Sequence, residues 1–557
     1  MKVIIIGGVA AGPKVGSRVH RICPEAEVIL IEKGEFLSYA GCGLPYYVSG
    51  VVQDQKELMS TPIGVVRDPV FFRNVKNVNV LNRTEAKQVD RTHKQLTIKD
   101  LQAGTESKLS YDKLVFATGA TPIIPPIKGR QLKNVFTLQN IEDSESIKAA
   151  LSEGKAKDVI IIGGGLIGIE MTEALISKGC RVTIIEKLPQ ILPMLDWEMA
   201  YQVKEYLELK GIKVKTSTTL TEIKGTDKVD SVVTDQGEMS CDFVIMSIGV
   251  RPNVSLAQDC GLEIGSTGGI RVNTAMQTSD PDIFAAGDCV ESTNLITGKP
   301  CFVPMGSTAN KQGRVAANNL CGRKDVFSGV LGSTVCKIFD FNIGRTGLGE
   351  TQARQEGYNT DIILSPAPDK AHFYPGAKPI MMKLVIDRET RRLLGLQVVG
   401  MGVVDKRTDV AATAITAKMT IDDIANLDLC YAPPYSPAMD NIITAANISR
   451  NKLDGLFEAI TPMQVKEKID HGDDFIFLDV RSPGEYATVQ IAETTLIPLG
   501  KLREECQQLP KDKEIIAFCK ISLRGYEAAL ILQEKGFKNV KVMDGGVLMW
   551  PYALIKK

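Results

Sequence analysis

At 557 residues the chain exceeds what one hydrophobic core organises, and a prior of roughly 150 residues per domain implies three or four domains. Its 44% hydrophobic and 24% charged content is that of a globular protein, and 66 basic residues balance 66 acidic ones, so no global charge directs it to nucleic acid or to a membrane surface. Twelve cysteines lie scattered with no Cys-x-x-Cys pair, which argues against a disulfide framework and against a zinc site; no metal is expected.

The N-terminal apolar run Val3-Ile4-Ile5-Ile6 breaks at once into glycines and reads as a strand, not as a signal peptide. The longest apolar stretch, residues 159–169, is about half of a membrane span and contains four glycines. A cytoplasmic protein is expected, with no membrane partner.

Two segments read alike. Residues 3–6 predict a strand, Gly7-Gly8-Val9-Ala10-Ala11-Gly12 a glycine turn, 15–22 a helix and 27–31 a strand that ends at Glu32. Residues 159–162, Gly163-x-Gly165-x-x-Gly168, 166–178 and 181–185 repeat that order and end at Glu186. Each is a β-α-β unit opening a doubly wound sheet, so the chain is expected to hold two dinucleotides. Further strands fall at 115–118, 244–248 and 283–286; the first ends in the turn Thr118-Gly119, the last in Gly287-Asp288. From about residue 326 the pattern becomes α+β, with strands at 383–386 and 394–399 and a helix near 405–418. Residues 451–455 read as a linker to a small α/β domain of about 100 residues.

The second fingerprint is complete. Gly163 permits the tight turn, Gly165 lets a pyrophosphate approach the backbone, and Gly168 lets helix and strand pack closely, with the phosphate on the helix N-terminus. Glu186 then stands where a carboxylate accepts from both ribose hydroxyls and repels a 2′-phosphate, which favours NADH, with NADPH possible. The first fingerprint, with Gly7 and Gly12, is imperfect because Val9 stands at the place of the middle glycine; Glu32 and the late Gly287-Asp288 turn strengthen it.

Residues 1–450 resemble the pyridine nucleotide–disulfide oxidoreductase superfamily. Within it, Ser38-Tyr39-Ala40-Gly41-Cys42-Gly43-Leu44-Pro45-Tyr46 resembles the active-site motif of coenzyme A–disulfide reductases, with Tyr39 and Gly41 where that family usually has Phe and Asn. The resemblance implies FAD on the first fold and Asp288 at the flavin ribityl or phosphate region. It also implies a single redox cysteine, Cys42, because Tyr47 stands where dithiol members carry a second. A helix start just after Cys42 is expected to depress its pKa. Related NADH peroxidases and oxidases carry a histidine at the place of Ala10, so S–S reduction is favoured over peroxide or oxygen chemistry. His20 and His93 are expected to be solvated.

The same resemblance implies a coenzyme A site at Lys14, Arg18, Arg21, Ser38, Arg73 and Asn310, with Met439 where a tryptophan is common. It implies a homodimer in which Tyr374 and Tyr431 reach the other subunit's Cys42 and donate to a leaving thiolate.

The last 100 or so residues resemble a rhodanese domain, through residues 477–486, Ala517-Phe518-Cys519-Lys520-Ile521-Ser522-Leu523-Arg524-Gly525 and Met543-Asp544-Gly545-Gly546-Val547. Cys519 would carry sulfane sulfur in a nest of backbone N–H groups, with Arg524 adding positive charge. The expected architecture is an FAD-binding domain at 1–117 and 247–325, an NAD(P)H-binding domain at 118–246, a dimerisation domain at 326–450 and a rhodanese domain at 456–557. The expected activity is NADH-dependent reduction of persulfides, polysulfide or coenzyme A disulfides. The alternatives are an NADH oxidase or peroxidase, and a sulfur-delivery or redox-sensing module.

Overall fold

The computed structural model describes residues 1–152 and 157–556. The chain divides into two compact units, one of Met1–Ile191 with Gly211–Val330, the other of Leu192–Lys210 with Leu331–Lys557.

The first unit carries two five-stranded sheets, parallel throughout. In one, Lys2–Ile6 lies between Glu27–Ile31 and Lys113–Phe116, with Val78–Leu81 and Ile283–Ala285 outermost. In the other, Asp158–Ile162 lies between Arg181–Ile185 and Phe243–Met246, with Lys213–Lys215 and Val135–Phe136 outermost. The central strands are unbroken Val/Ile runs because a parallel sheet is covered on both faces; Val3, Ile4, Ile5 and Ile161 are fully buried. Ile6 pairs with Ile31, and Ile162 with Ile185, so both glycine turns leave their sheets at the carboxyl ends of the strands, where doubly wound folds bind ligands.

Each half also has an antiparallel three-stranded sheet that its periodicity does not mark: Thr84–Asp90, Gln95–Asp100 and Glu106–Ser110 in the first, Leu220–Gly225, Val229–Thr234 and Gly237–Ser240 in the second. Leu96 and Ile98 alternate with more exposed neighbours in Gln95–Asp100, as a one-sided strand requires. The helix after the first turn starts at Ala11, four residues before the apolar pattern begins. Pro13 falls in its first turn, where no backbone hydrogen bond is lost.

The second unit holds an antiparallel and a parallel sheet. The antiparallel order is Thr334–Ile338, Phe341–Gly347, Leu393–Gly400, Pro379–Asp387, Thr360–Pro368. The helix Trp197–Leu209, inside the 118–246 segment, groups with this unit. Its N-cap Asp196 donates its N–H to Gln397 Oε1 at 2.8 Å, and Gln397 Nε2 donates back to Asp196 Oδ2 at 2.7 Å. The parallel order is Glu458–Ile460, Val540–Met543, Glu514–Phe518, Phe475–Asp479, Thr495–Leu496.

The expected linker at 451–455 is a correction. The helix Asn441–Leu453 runs through most of it, and Gly455, at φ +75°, closes the helix. The Leu456 N–H bonds the Asn451 carbonyl at 2.9 Å and the Gly455 N–H bonds that of Lys452 at 3.1 Å, the paired pattern of a left-handed helix end.

Candidate active site

The two glycine turns are built alike. Gly7 lies at φ +113°, and a Cβ there would stand 2.0 Å from the Ala117 carbonyl oxygen; Gly163 lies at φ +103°, with the Ser247 oxygen 2.4 Å away. A Cβ on Gly12 would meet the Gly7 oxygen at 1.9 Å, and one on Gly168 the Gly163 oxygen at 2.3 Å. Only glycine fits these four positions. Gly165 and Gly119 face open space instead, which suits the approach of a phosphate or a ring.

The two acids match as well. Glu32 accepts from the Gly8 N–H at 2.6 Å and the Gly34 N–H at 2.7 Å. Glu186 accepts from Gly164 and Leu188, each at 2.8 Å. Each oxygen keeps a lone pair for a ribose hydroxyl. Burial raises Glu32 against these backbone bonds.

At the late turn, Gly287 (φ +89°) donates its N–H to Gln312 Oε1 at 2.9 Å, and burial pushes Asp288 up to about 6 against one backbone hydrogen bond from Met305. Such a half-buried carboxyl fits a hydroxyl-bearing ligand. Thr118 is held by Asn253, whose backbone oxygen accepts from Thr118 Oγ1 at 2.6 Å and whose Nδ2 donates to the Thr118 carbonyl at 2.8 Å. Gln312 and Asn253 carry no local motif that would mark them in the sequence.

Cys42 is exposed, in a single 3-10 turn, Gly41–Gly43, that runs into the helix Leu44–Ser49. Its loop is pinned to the first glycine turn by the Ser38 N–H, which donates to the Gly8 oxygen at 2.8 Å with Ser38 at φ +49°. Ser38 Oγ accepts from Arg67 Nη1 at 3.1 Å, and Arg67 Nε also caps the Met59 carbonyl at 2.9 Å, so Arg67 braces the loop. Gly43 has a packing reason the sequence did not reveal, since a Cβ would stand 2.5 Å from Leu58 Cδ2; Gly41 faces open space.

Tyr47 is buried, hydrogen-bonds Glu145, and holds the Lys148 ammonium 3.5 Å from its ring centroid. Burial first, then Glu145, pushes its hydroxyl up to about 12, so this position is a packed phenol and not a second redox group. Burial and Glu173 likewise raise Glu170, on the helix Leu166–Ser177, to about 7; no sequence motif marks that residue.

Lys14, Arg18 and Arg21 lie on the helix Ala11–Ile22, Arg73 on Pro69–Lys76, and Asn310 on Gly306–Leu320; both latter helices contact the first. Asn310 Nδ2 is turned back onto the Gly306 carbonyl at 2.8 Å. Burial lowers Arg18, and Arg314, Arg323 and Arg21 lower it further, so these four arginines form one cluster. Arg314 lies four residues after Asn310, a helical spacing that could have flagged it. His20 is not solvated as expected: it is half-buried and its Nδ1 lacks a partner. His93 is exposed and bonds Asp90 at 2.8 Å.

In the second unit Cys519 follows the strand Glu514–Phe518 and is fully buried. Its carbonyl accepts from the Val547 N–H at 2.9 Å, and Gly546, at φ +57°, lets the backbone come that close. Ser522 (φ +84°) precedes the helix Leu523–Glu534. Arg524 pairs with Cys519 and, through both Nη atoms, with Glu485 at 2.7 Å each; these partners raise it. Glu485 was not singled out by sequence. Buried Asp479 and Arg481 brace the neighbouring strand end, with the Asp479 oxygens accepting from Arg481 Nε at 3.0 Å. Tyr374 and Tyr431 are both exposed on the second unit, with Phe373, Tyr435 and Met439.

Among described residues, no helix is long and apolar enough to cross a membrane. The model for pyridine nucleotide-disulphide oxidoreductases matches residues 1–310, that for their dimerisation domain 333–443, and that for a rhodanese-like domain 461–552. The chain is 40% identical over 447 residues to the NAD(P)H sulfur oxidoreductase (CoA-dependent) of Pyrococcus abyssi, spanning 80% of this chain and 97% of that one. It is 38% identical over 454 residues to an NADH oxidase of Methanocaldococcus jannaschii, spanning 81% and 99%. The solved structure of a NAD-dependent persulfide reductase from A. fulgidus superposes with a TM-score of 0.95 at 44% identity, covering 99% of this chain and 100% of that one.

Proposed function

The chain belongs to the pyridine nucleotide-disulphide oxidoreductase family, and from that premise we propose an FAD-dependent, NADH-driven reductase of S–S bonds that works through Cys42, with sulfane sulfur carried by Cys519. The observation that carries this reading is an exposed Cys42 whose loop is hydrogen-bonded to the first glycine turn, with Tyr47 in place of a second thiol.

The paired turns, Glu32 and Asp288 support FAD in the first half; Gly163, Gly165, Gly168 and Glu186 support NADH in the second. Bound there, the flavin supplies a two-electron relay between nicotinamide and sulfur. The Cys42 thiolate attacks one sulfur of the substrate S–S bond, forming a protein–sulfur bond and expelling a thiolate or hydrosulfide. Two electrons and a proton then break the new bond, release the second sulfur as thiol or sulfide, and restore Cys42. The cations Lys14, Arg18, Arg21 and Arg314 suit a thiol carrier bearing phosphates, such as coenzyme A. Arg524 beside Cys519 suits a persulfide anion. The dimerisation-domain match supports a homodimer, in which Tyr374 and Tyr431 would serve the partner's site.

Steady-state NADH oxidation on a panel of coenzyme A disulfide, coenzyme A persulfide, polysulfide and oxygen tests this. The wild type should turn over the sulfur substrates and Cys42→Ser should not. The name NADH oxidase, carried by the M. jannaschii relative, keeps oxygen reduction as a second reading. Equal NADH turnover with oxygen alone would establish it, and slow turnover on every acceptor would favour a delivery or sensing module.

A further inference from the structure

The helices Ala11–Ile22 and Gly306–Leu320 lie side by side, and their contacts fix a parallel register. A Cβ on Gly313 would stand 2.8 Å from the Ala11 carbonyl oxygen and 3.3 Å from Lys14 Cβ. Further along, Arg18 Nε donates to Asn318 Oδ1 at 2.8 Å. The same register brings together the residues just beyond the two helices. Cys23 closes its helix onto the Val19 carbonyl at 2.8 Å, and Cys321 closes its own onto that of Ala317 at 3.1 Å. The two thiols lie close enough to interact, and both are free and partly exposed, whereas Cys289 and Cys506 are buried.

We propose that Cys23 and Cys321 form a second redox site: a dithiol that exchanges with small-molecule disulfides and closes into a disulfide across the ends of the two helices. Burial, then the Cys23 thiol and Glu25, pushes Cys321 up to about 12 against Arg323, so Cys321 keeps its proton and Cys23 is the attacking sulfur. Cys23 thiolate attacks R–S–S–R, forming Cys23–S–S–R and expelling RS⁻. The Cys321 sulfur then attacks Cys23, breaks the mixed disulfide and expels a second thiolate, which takes up the Cys321 proton. Two protein thiols are oxidised and the small disulfide is reduced to two thiols. The closed form ties the ends of the helices that carry Lys14, Arg18, Arg21 and Arg314, without any step at Cys42.

The test uses the full chain with Cys42→Ser and Cys519→Ser, incubated without oxygen with the disulfide of 2-mercaptoethanol, alkylated and mapped by mass spectrometry. The expected product is a Cys23–Cys321 cross-linked peptide and an intact chain lighter by two hydrogens. With Cys321→Ser added, the reaction should stop at a mercaptoethanol adduct on Cys23. Full alkylation of both cysteines at every disulfide concentration, or no adduct on Cys23 in the Cys321→Ser chain, overturns the proposal.

Discussion

Glu485 and Arg524 meet through two parallel hydrogen bonds of 2.7 Å, so the cation beside Cys519 is aimed by a carboxylate from a different helix. A guanidinium held at both arms presents its remaining donors in one direction. Glu485→Gln loses the charge and one of the two acceptors, leaving Arg524 charged and unaimed. Sulfane sulfur transfer from thiosulfate to cyanide should fall about tenfold, the effect of roughly 1.4 kcal/mol in orientation. NADH-driven reduction of a simple disulfide should not change. The Arg524 hydrogen bond, against some burial, holds Glu485 down at about 2. Its folded value lies below the ordinary 4.5, so the contribution of the pair is present above that pH and disappears as pH falls through about 2. Transfer activity that is unchanged in Glu485→Gln counts against this role.

Glu186 uses both oxygens on backbone N–H groups, from Gly164 and Leu188, each at 2.8 Å. An amide accepts at one end only, so Glu186→Gln leaves one buried N–H without a partner and also removes the negative charge that opposes a 2′-phosphate. Catalytic efficiency with NADH should fall about tenfold, and the preference for NADH over NADPH should narrow by a similar factor. Kinetics with both nucleotides decide it: an unchanged ratio would mean that Glu186 does not read the ribose.

What was legible in the sequence is what local backbone geometry demands. Gly7, Gly12, Gly163 and Gly168 are forced by carbonyl oxygens that a Cβ would strike, and the strands beside them are apolar runs because both faces are covered. Residues that act by arriving from elsewhere left no such trace. Gln312 reaches Gly287, Asn253 reaches Thr118, and Glu485 reaches Arg524, across 25, 135 and 39 positions of chain. The misread linker has the same origin, since Gly455 punctuates the chain equally as a helix end or a hinge. Only the hydrogen bonds to Asn451 and Lys452 distinguish them.

Lys383 lies fully buried among Glu198, Asp196 and Glu350, with its ammonium 2.9 Å from Asp196 and 2.7 Å from Glu350. The three acids lie within 4.8 Å of one another, a spacing that could also hold a metal ion, but here they surround a lysine. Burial alone would lower Lys383; the three carboxylates outweigh it and raise it above the ordinary 10.5. Its stabilisation is therefore complete below that pH and lost only as pH climbs through the still higher folded value. Lys383→Met removes the cation and leaves the acids facing one another, which should cost about 3–5 kcal/mol. Urea unfolding near neutral pH should show that loss, and a midpoint equal to the wild type's would mean the acids are not held ionised by this lysine.

Asp544 is the buried acid at the turn that wraps Cys519. It is 2% exposed, and its Oδ2 has no hydrogen-bond partner. Lys452 stands 3.8 Å away but is 2.7 Å from Asp361, so its charge is shared. Burial pushes Asp544 up to about 7, with Lys452 opposing and Asp361 reinforcing. The folded value lies above the ordinary 3.8, so the stabilisation by the protonated carboxyl is full below that pH and is lost as pH rises through about 7. Thermal unfolding should therefore show a midpoint lower at about pH 8 than at about pH 5. Asp544→Asn keeps the shape and stays neutral, so it should flatten that slope and raise the midpoint at the higher pH. If the variant keeps the wild-type slope, the carboxylate is already ionised in the fold, and Lys452 satisfies it in spite of Asp361.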